Sequence, residues 1–214
     1  AFPSLHRGEI LDEDHALLER LADTIDTSAH LDEIGVRRFE RDLSPREVVD
    51  ALVYEAAINL NGVKAGYAAG GKTIIPHEAE AAVDVRLPHG TDIEEVLREI
   101  TSLVAKVSPE VAIEDVDRCL PARTSATSPV AQAMIASHED IGRPARVWPS
   151  APWWAPYFLF EQVLELPFAV GGAGHSGGAH AADEFATVDG LREHMHQSLV
   201  FLHRFAQHHS EAQR

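Results

Sequence analysis

Residues 171–185 read GGAGHSGGAHAADEF. Two histidines, His175 and His180, stand in a run of glycine and alanine that closes on the acidic pair Asp183-Glu184. Glycine lets backbone come close to another group and take angles other residues avoid. Neutral imidazole is the commonest protein metal ligand, and a nearby carboxylate often orients one. The stretch reads either as a metal-site loop or as a flexible loop with incidental histidines. A second chemical candidate is Arg86, which ends the alternating run EAEAAVDVRL. Its planar fork can grip a carboxylate through two parallel hydrogen bonds, or it can serve as an ordinary surface arginine. His194, His196, His203, His208 and His209 crowd the C-terminal part. Their spacing offers no usable ligand pair, so they read as a solvated helix face and tail. Cys119 is the only cysteine and reads as buried or incidental.

These residues need elements to hold them. ILDEDHALLERLADTID, residues 10–26, carries Leu17, Leu18, Leu21 and Ile25 on one helical face. SPREVVDALVYEAA opens with Ser44, Pro45 and Glu47, a capping-box start for a second helix. INLNGVKAGY reads as a strand interrupted by glycine, and EAEAAVDVRL alternates as a strand. GGKTIIP between them is a turn or bulge. Thr91-Asp92 caps a helix through Lys106 whose inner face is Ile93, Val96, Leu97, Ile100 and Val104. VAIEDVD follows as a strand. Strand, strand, helix, strand is the latter part of a ferredoxin-like unit. Further on, Ser128 and Pro129 start another helix, PARVWP and PFAVGG read as short strands, and a long helix runs from about Gly190 to Gln207. Its expected buried stripe is Leu191, Met195, Leu199, Leu202 and Phe205–Ala206.

Basic residues number 18 and acidic residues 34, a net charge of -16. Phosphate binding needs a basic footprint, so nucleic acid and anionic membrane are disfavoured as partners. With one cysteine no internal disulfide can form, and a cytoplasmic location is expected. The chain opens at Ala1 with neither methionine nor a signal-peptide pattern, so a processed or truncated product is expected.

Three stretches in order resemble one family. GVKAGYAAGGKTIIPHEAEAAVDVRLPHGTDIEEVLREI is similar to a lid domain in which a glycine-rich turn and Ile-Pro precede a strand ending in Asp-x-Arg. TSATSPVAQAM resembles the re-entry into a catalytic domain, and GGAGHSGGAHAADEF resembles a closing AH-x-x-[ND]-E loop. Together they resemble the dinuclear zinc exopeptidases and amidohydrolases of the acetylornithine deacetylase, succinyl-diaminopimelate desuccinylase, aminoacylase and glutamate carboxypeptidase type.

The resemblance implies an α/β fold: the C-terminal part of a zinc-peptidase catalytic domain with a partial ferredoxin-like α+β lid. The expected boundaries are a helical lead-in over 1–44, the lid over 45–118 and the catalytic segment over 119–214. It implies hydrolysis of amide bonds in N-acyl amino acids or small peptides, with two zinc ions per complete site, or cobalt or manganese in their place. His180 is the implied metal ligand and Glu184 its supporting carboxylate. Arg86, Thr73, Gly171, Gly172 and His175 are the implied substrate contacts, the substrate being a small molecule with a free carboxylate. Trp153 and Trp154, where relatives carry small residues, either line an apolar pocket or belong to the core. The family's other metal ligands and its general base have no counterpart in this sequence. The isolated chain is therefore expected to be inactive, with His180 facing a cleft beneath the lid. Two rivals stand beside the enzyme reading: a non-catalytic module that forms a homodimer through the lid, and a truncated product.

Overall fold

By its contacts, the chain of the computed structural model divides into two units, residues 1–9 with 54–115 and residues 10–53 with 116–214. The structure describes residues 5, 7–33, 35–39, 41–66, 70–71, 73–114, 117–151, 153, 155–180 and 182–212. The sequence boundaries at 44/45 and 118/119 follow the pattern of elements. The contacts instead gather 10–53 with the C-terminal residues.

The second unit begins with a 3-10 turn, Asp12–Asp14, that runs into α1, His15–Thr24. Leu17, Leu18 and Leu21 are buried, as their helical spacing predicts. A short α2, Thr27–Glu33, precedes α3, Pro45–Tyr54. The predicted capping box forms: the Ser44 N–H and hydroxyl donate to Glu47 Oε2 at 2.8 and 2.7 Å. Val48, Val49 and Val53 are buried, and Arg46 on α3 pairs with Asp50 and with Glu19 of α1.

α5, Pro129–Asp140, starts at Ser128, whose hydroxyl accepts from the Ala131 N–H. It packs against α6, Val188–Ala212. The Thr187 hydroxyl accepts from the Gly190 N–H at 3.1 Å, so Thr187 caps the start of α6. The predicted buried stripe of α6 is not the buried one. Leu191, Met195, Leu199, Leu202 and Phe205 are exposed, Leu199 by 68 %, whereas Gln197 is 1 % exposed. Gln197 is held because its amide finds partners on α5: Ser137 Oγ at 2.6 Å and Met134 Sδ at 3.0 Å.

The first unit holds β1, Ala57–Ala65, β2, Ala79–Arg86, and α4, Ile93–Val107. The strands pair antiparallel from Ala57↔Arg86 to Ala65↔Ala79, with a register break between Leu60 and Gly62 where the glycine interrupts the strand. Asp92 caps α4 by accepting from the Glu94 and Glu95 N–H groups. Val96 is buried on the predicted inner face. Both strands stay largely open, with Leu60, Val63 and Val83 exposed.

Three predicted strands do not form among the described residues. Residues 111–114, 144–149 and 167–172 lie outside any ladder, and residues 115–116 fall outside the described residues. A strand exists only against a neighbour. In a ferredoxin-like unit the last strand pairs with the first, and no such first strand is present among the described residues. Residues 159–163 form a π-helical turn. There Glu161 Oε2 accepts from the Arg123 N–H at 3.1 Å.

Candidate functional site

The site begins with a minimal hairpin. β3, Ser176–Gly177, pairs with β4, Phe185–Ala186, through Ser176↔Ala186 and Gly177↔Phe185. Gly177 lies close under Phe185, where a Cβ would sit 3.0 Å from the ring. The tip between the strands carries His180 and Asp183 in the left-handed region, both at φ 62. Histidine and aspartate are among the residues that enter it with least penalty. His180 is exposed at this tip, where a cleft was expected to face it.

Glu184 does hold His180, but through the backbone. Its Oε2 accepts from the His180 N–H at 3.3 Å. The carboxylate thus fixes the turn that presents the ring, where the sequence had suggested contact with the ring itself. His175 lies at the base of the hairpin with its ring 5.6 Å from the Phe185 ring. Its carbonyl accepts from Thr187 twice, from the N–H at 3.0 Å and from Oγ1 at 3.3 Å. Gly171 faces open space, whereas Gly172 lies against the His194 ring. His194 Nδ1 is 3.2 Å from the Ala173 carbonyl oxygen. His194 is exposed, in keeping with the solvated-face reading of the C-terminal histidines, and its ring also bonds the loop. His196 is exposed, and the side chains of His208 and His209 fall outside the described residues.

In the other unit, Arg86 stands at the end of β2 and its Nε donates to Asp84 Oδ2 at 3.2 Å. Residues two apart on a strand share a face, so the Asp-x-Arg spacing makes this pair. Asn59, directly across the ladder, donates to the same oxygen at 3.2 Å. Partial burial pushes the Asp84 carboxyl up. The hydrogen bonds from Asn59, Asn61 and Arg86 outweigh it and hold the group below the usual carboxylate range. Sequence reasoning named Arg86 and left out Asp84 and Asn59, though the alternation already put Asp84 beside it. Thr73 is exposed in the connection from β1 to β2.

Trp153 is half exposed and so is no core residue, and Trp154 falls outside the described residues. Cys119 is partly buried, its thiol 3.5 Å from the Ala155 carbonyl. Sequence reasoning missed Arg123. It pairs with Glu13 and with the fully buried Asp14, and the Ser125 hydroxyl donates to the other Glu13 oxygen at 2.6 Å. The Ser125 and Arg123 hydrogen bonds hold the Glu13 carboxyl below its ordinary value.

An imidazole such as His180 suits zinc, but a zinc site takes several protein ligands. Among the described residues no group of three or more His, Cys, Asp or Glu is gathered to hold an ion. The described residues do not fit a metal centre by themselves. No helix among them is long and apolar enough to cross a membrane.

Residues 15–112 match the sequence model of the M20 peptidase dimerisation domain. No curated protein matches the chain. Among solved structures, the chain is similar to the M20 family metallo-carboxypeptidase Sso-CP2 from Sulfolobus solfataricus. That likeness has a TM-score of 0.81 and 26% identity and covers 95% of this chain and 47% of that one. It is also similar to the di-peptidase Dug1p from Saccharomyces cerevisiae, with TM-score 0.78, 15% identity, and 97% and 44% of the two chains covered. Human carnosine dipeptidase 1 matches with TM-score 0.74 and 15% identity over 96% and 45%. The fold is therefore mixed α/β, a partial lid with catalytic-domain elements of the zinc-peptidase type. The chain spans about half the length of the solved structures it matches.

Proposed function

We propose that this chain supplies the lid and one metal ligand, His180, of a metal-dependent hydrolase of amide bonds. The substrates are N-acyl amino acids or small peptides with a free carboxylate. What carries the reading is the hairpin 176–186, which presents His180 from a left-handed tip braced by Glu184, within a chain whose fold follows metallopeptidases over nearly its whole length. The remaining donor set and the general base come from residues beyond those described here.

Each residue then has a task. His180 gives a neutral imidazole to the metal, and Glu184 keeps the tip in place. Arg86, paired with Asp84, is the contact for the substrate carboxylate. Gly171, with open space at its Cα, lets substrate approach the backbone, with Gly172 and His175 forming the adjoining wall and Thr73 offering a hydroxyl. Zinc, or in its place cobalt or manganese, held by His180 together with the remaining ligands, would supply the Lewis acidity that polarises a scissile carbonyl and activates water.

A second reading, a dimerisation module without catalysis, is favoured by the match over residues 15–112. It also draws on an open groove of about 220 Å³ lined by Leu97, Thr101, Val104, Ala105, Val111 and Ile113. The deciding experiment joins the chain to a segment bearing the remaining ligands, the N-terminal half of an M20 metallopeptidase, and screens N-acetyl amino acids and dipeptides with added zinc or cobalt. Metal-dependent hydrolysis that His180→Ala reduces at least about a hundredfold supports the enzyme. Full activity in His180→Ala overturns the ligand assignment.

A further inference from the structure

The backbone entering the hairpin runs against the first turns of α6 with almost no space between them. A Cβ on Gly172 would lie 2.5 Å from both Nδ1 and Cε1 of His194. A Cβ on Gly174 would lie 3.1 Å from the Gly190 carbonyl oxygen, and one on Gly190 would lie 2.5 Å from the His175 nitrogen. Three glycines thus permit one close approach of chain to helix. Two groups on the helix side bond across it. Thr187 binds the His175 carbonyl through its N–H and hydroxyl. His194, one turn beyond Gly190, reaches the Ala173 carbonyl at 3.2 Å.

A carbonyl oxygen only accepts, so Nδ1 of His194 must carry the proton in this contact. The flat ring also fills the space that the absent Gly172 side chain leaves. Alanine at 194 would lose the hydrogen bond and the packing together. The first bond past the glycine run would then be at His175.

We propose that His194 is a positioning residue for the loop that carries His180, pinning the Ala173 carbonyl so that the hairpin leaves α6 at one fixed angle. Its value to catalysis rests on the metal-ligand reading of His180, whereas the pinning itself does not.

The test uses the whole chain with no metal added, so its outcome is separate from that of the metal reading. Amide exchange is followed at Thr187, whose N–H binds the His175 carbonyl, and at the β3–β4 ladder. His194→Ala is expected to speed exchange there by about tenfold, with α4 amides in the other unit unchanged. His194→Asn, which keeps an N–H donor at the same reach, is expected to recover most of the protection. The 15N signal of His194 Nδ1 is expected to be that of a protonated ring nitrogen. Gly172→Ala is expected to cost less in the His194→Ala background than in the parent, because its methyl then meets no ring. Unchanged exchange in His194→Ala overturns the proposal, as does an unprotonated Nδ1. Failure of asparagine to protect the loop overturns it too, by leaving ring packing without the hydrogen bond.

Discussion

Gln197 of α6 donates to Ser137 of α5 at 2.6 Å, and both side chains are almost wholly buried. The Ser137 hydroxyl in turn donates to the Met134 carbonyl at 2.7 Å. The α5–α6 contact is thus registered by a polar pair where the sequence pattern had placed an apolar stripe. Gln197→Ala should destabilise the chain by about 2–4 kcal/mol, through lost packing and a lost hydrogen bond. Ser137→Ala should cost about 1–2 kcal/mol by leaving the amide one partner short. Urea unfolding of the two single variants and the double variant measures both terms, and the double should fall short of their sum.

The exposed stripe of α6 gives the opposite expectation. Leu199→Gln and Leu202→Gln should change stability by no more than about 0.5 kcal/mol. Leu18→Ala, at a residue with 0 % exposure, should cost about 2–5 kcal/mol. Thermal melts of the three variants side by side check the contrast. Dye binding to exposed apolar surface should drop in the two glutamine variants only.

Asp84 sets a pH dependence on the hairpin. Its folded pKa is depressed, so its stabilisation is fully present above the unfolded carboxylate pKa and is lost as pH falls through the lower, folded value. Protonation removes the charge that Asn59 and Arg86 bind. The β1–β2 amides should therefore exchange faster as the medium is acidified below the usual carboxylate range. Asp84→Asn should flatten that part of the profile, and a profile identical to the parent's would exclude Asp84 as its source.

Zinc affinity of the chain alone should be weak. One exposed imidazole cannot compete with water for the ion, and the described residues gather no further ligands around it. Calorimetric titration should show no submicromolar site. A tight site abolished by His180→Ala would reveal ligands beyond those described.

Arg86→Lys is the sharpest probe of the carboxylate grip. It keeps the charge and removes the two-pronged fork. In the completed enzyme it should raise KM for carboxylate-bearing substrates by about tenfold and leave the corresponding amides little changed. Equal effects on both substrate types would place Arg86 outside the binding site.

Local chemistry was legible from the residues themselves. Ser44-Pro45-x-Glu47 and Thr91-Asp92 fixed two helix starts, because a cap needs only its own neighbours to satisfy the first free N–H groups. The alternation of β2 likewise put Asp84 and Arg86 on one face. The glycine-rich run marked a loop in which backbone could pass close to another group.

What the helix met across that approach could not be read from spacing, since His194 touches Ala173 from 21 residues away. Periodicity says that α6 has an apolar face but not which face finds a partner. That depended on α5 offering Ser137 and Met134 to Gln197. The three missing strands teach the same lesson: a strand's hydrogen bonds belong to its neighbour, so alternation alone yields an extended segment until another strand lies beside it. The sequence by itself determined the elements that close on their own residues, and tertiary structure decided everything that needs a second surface.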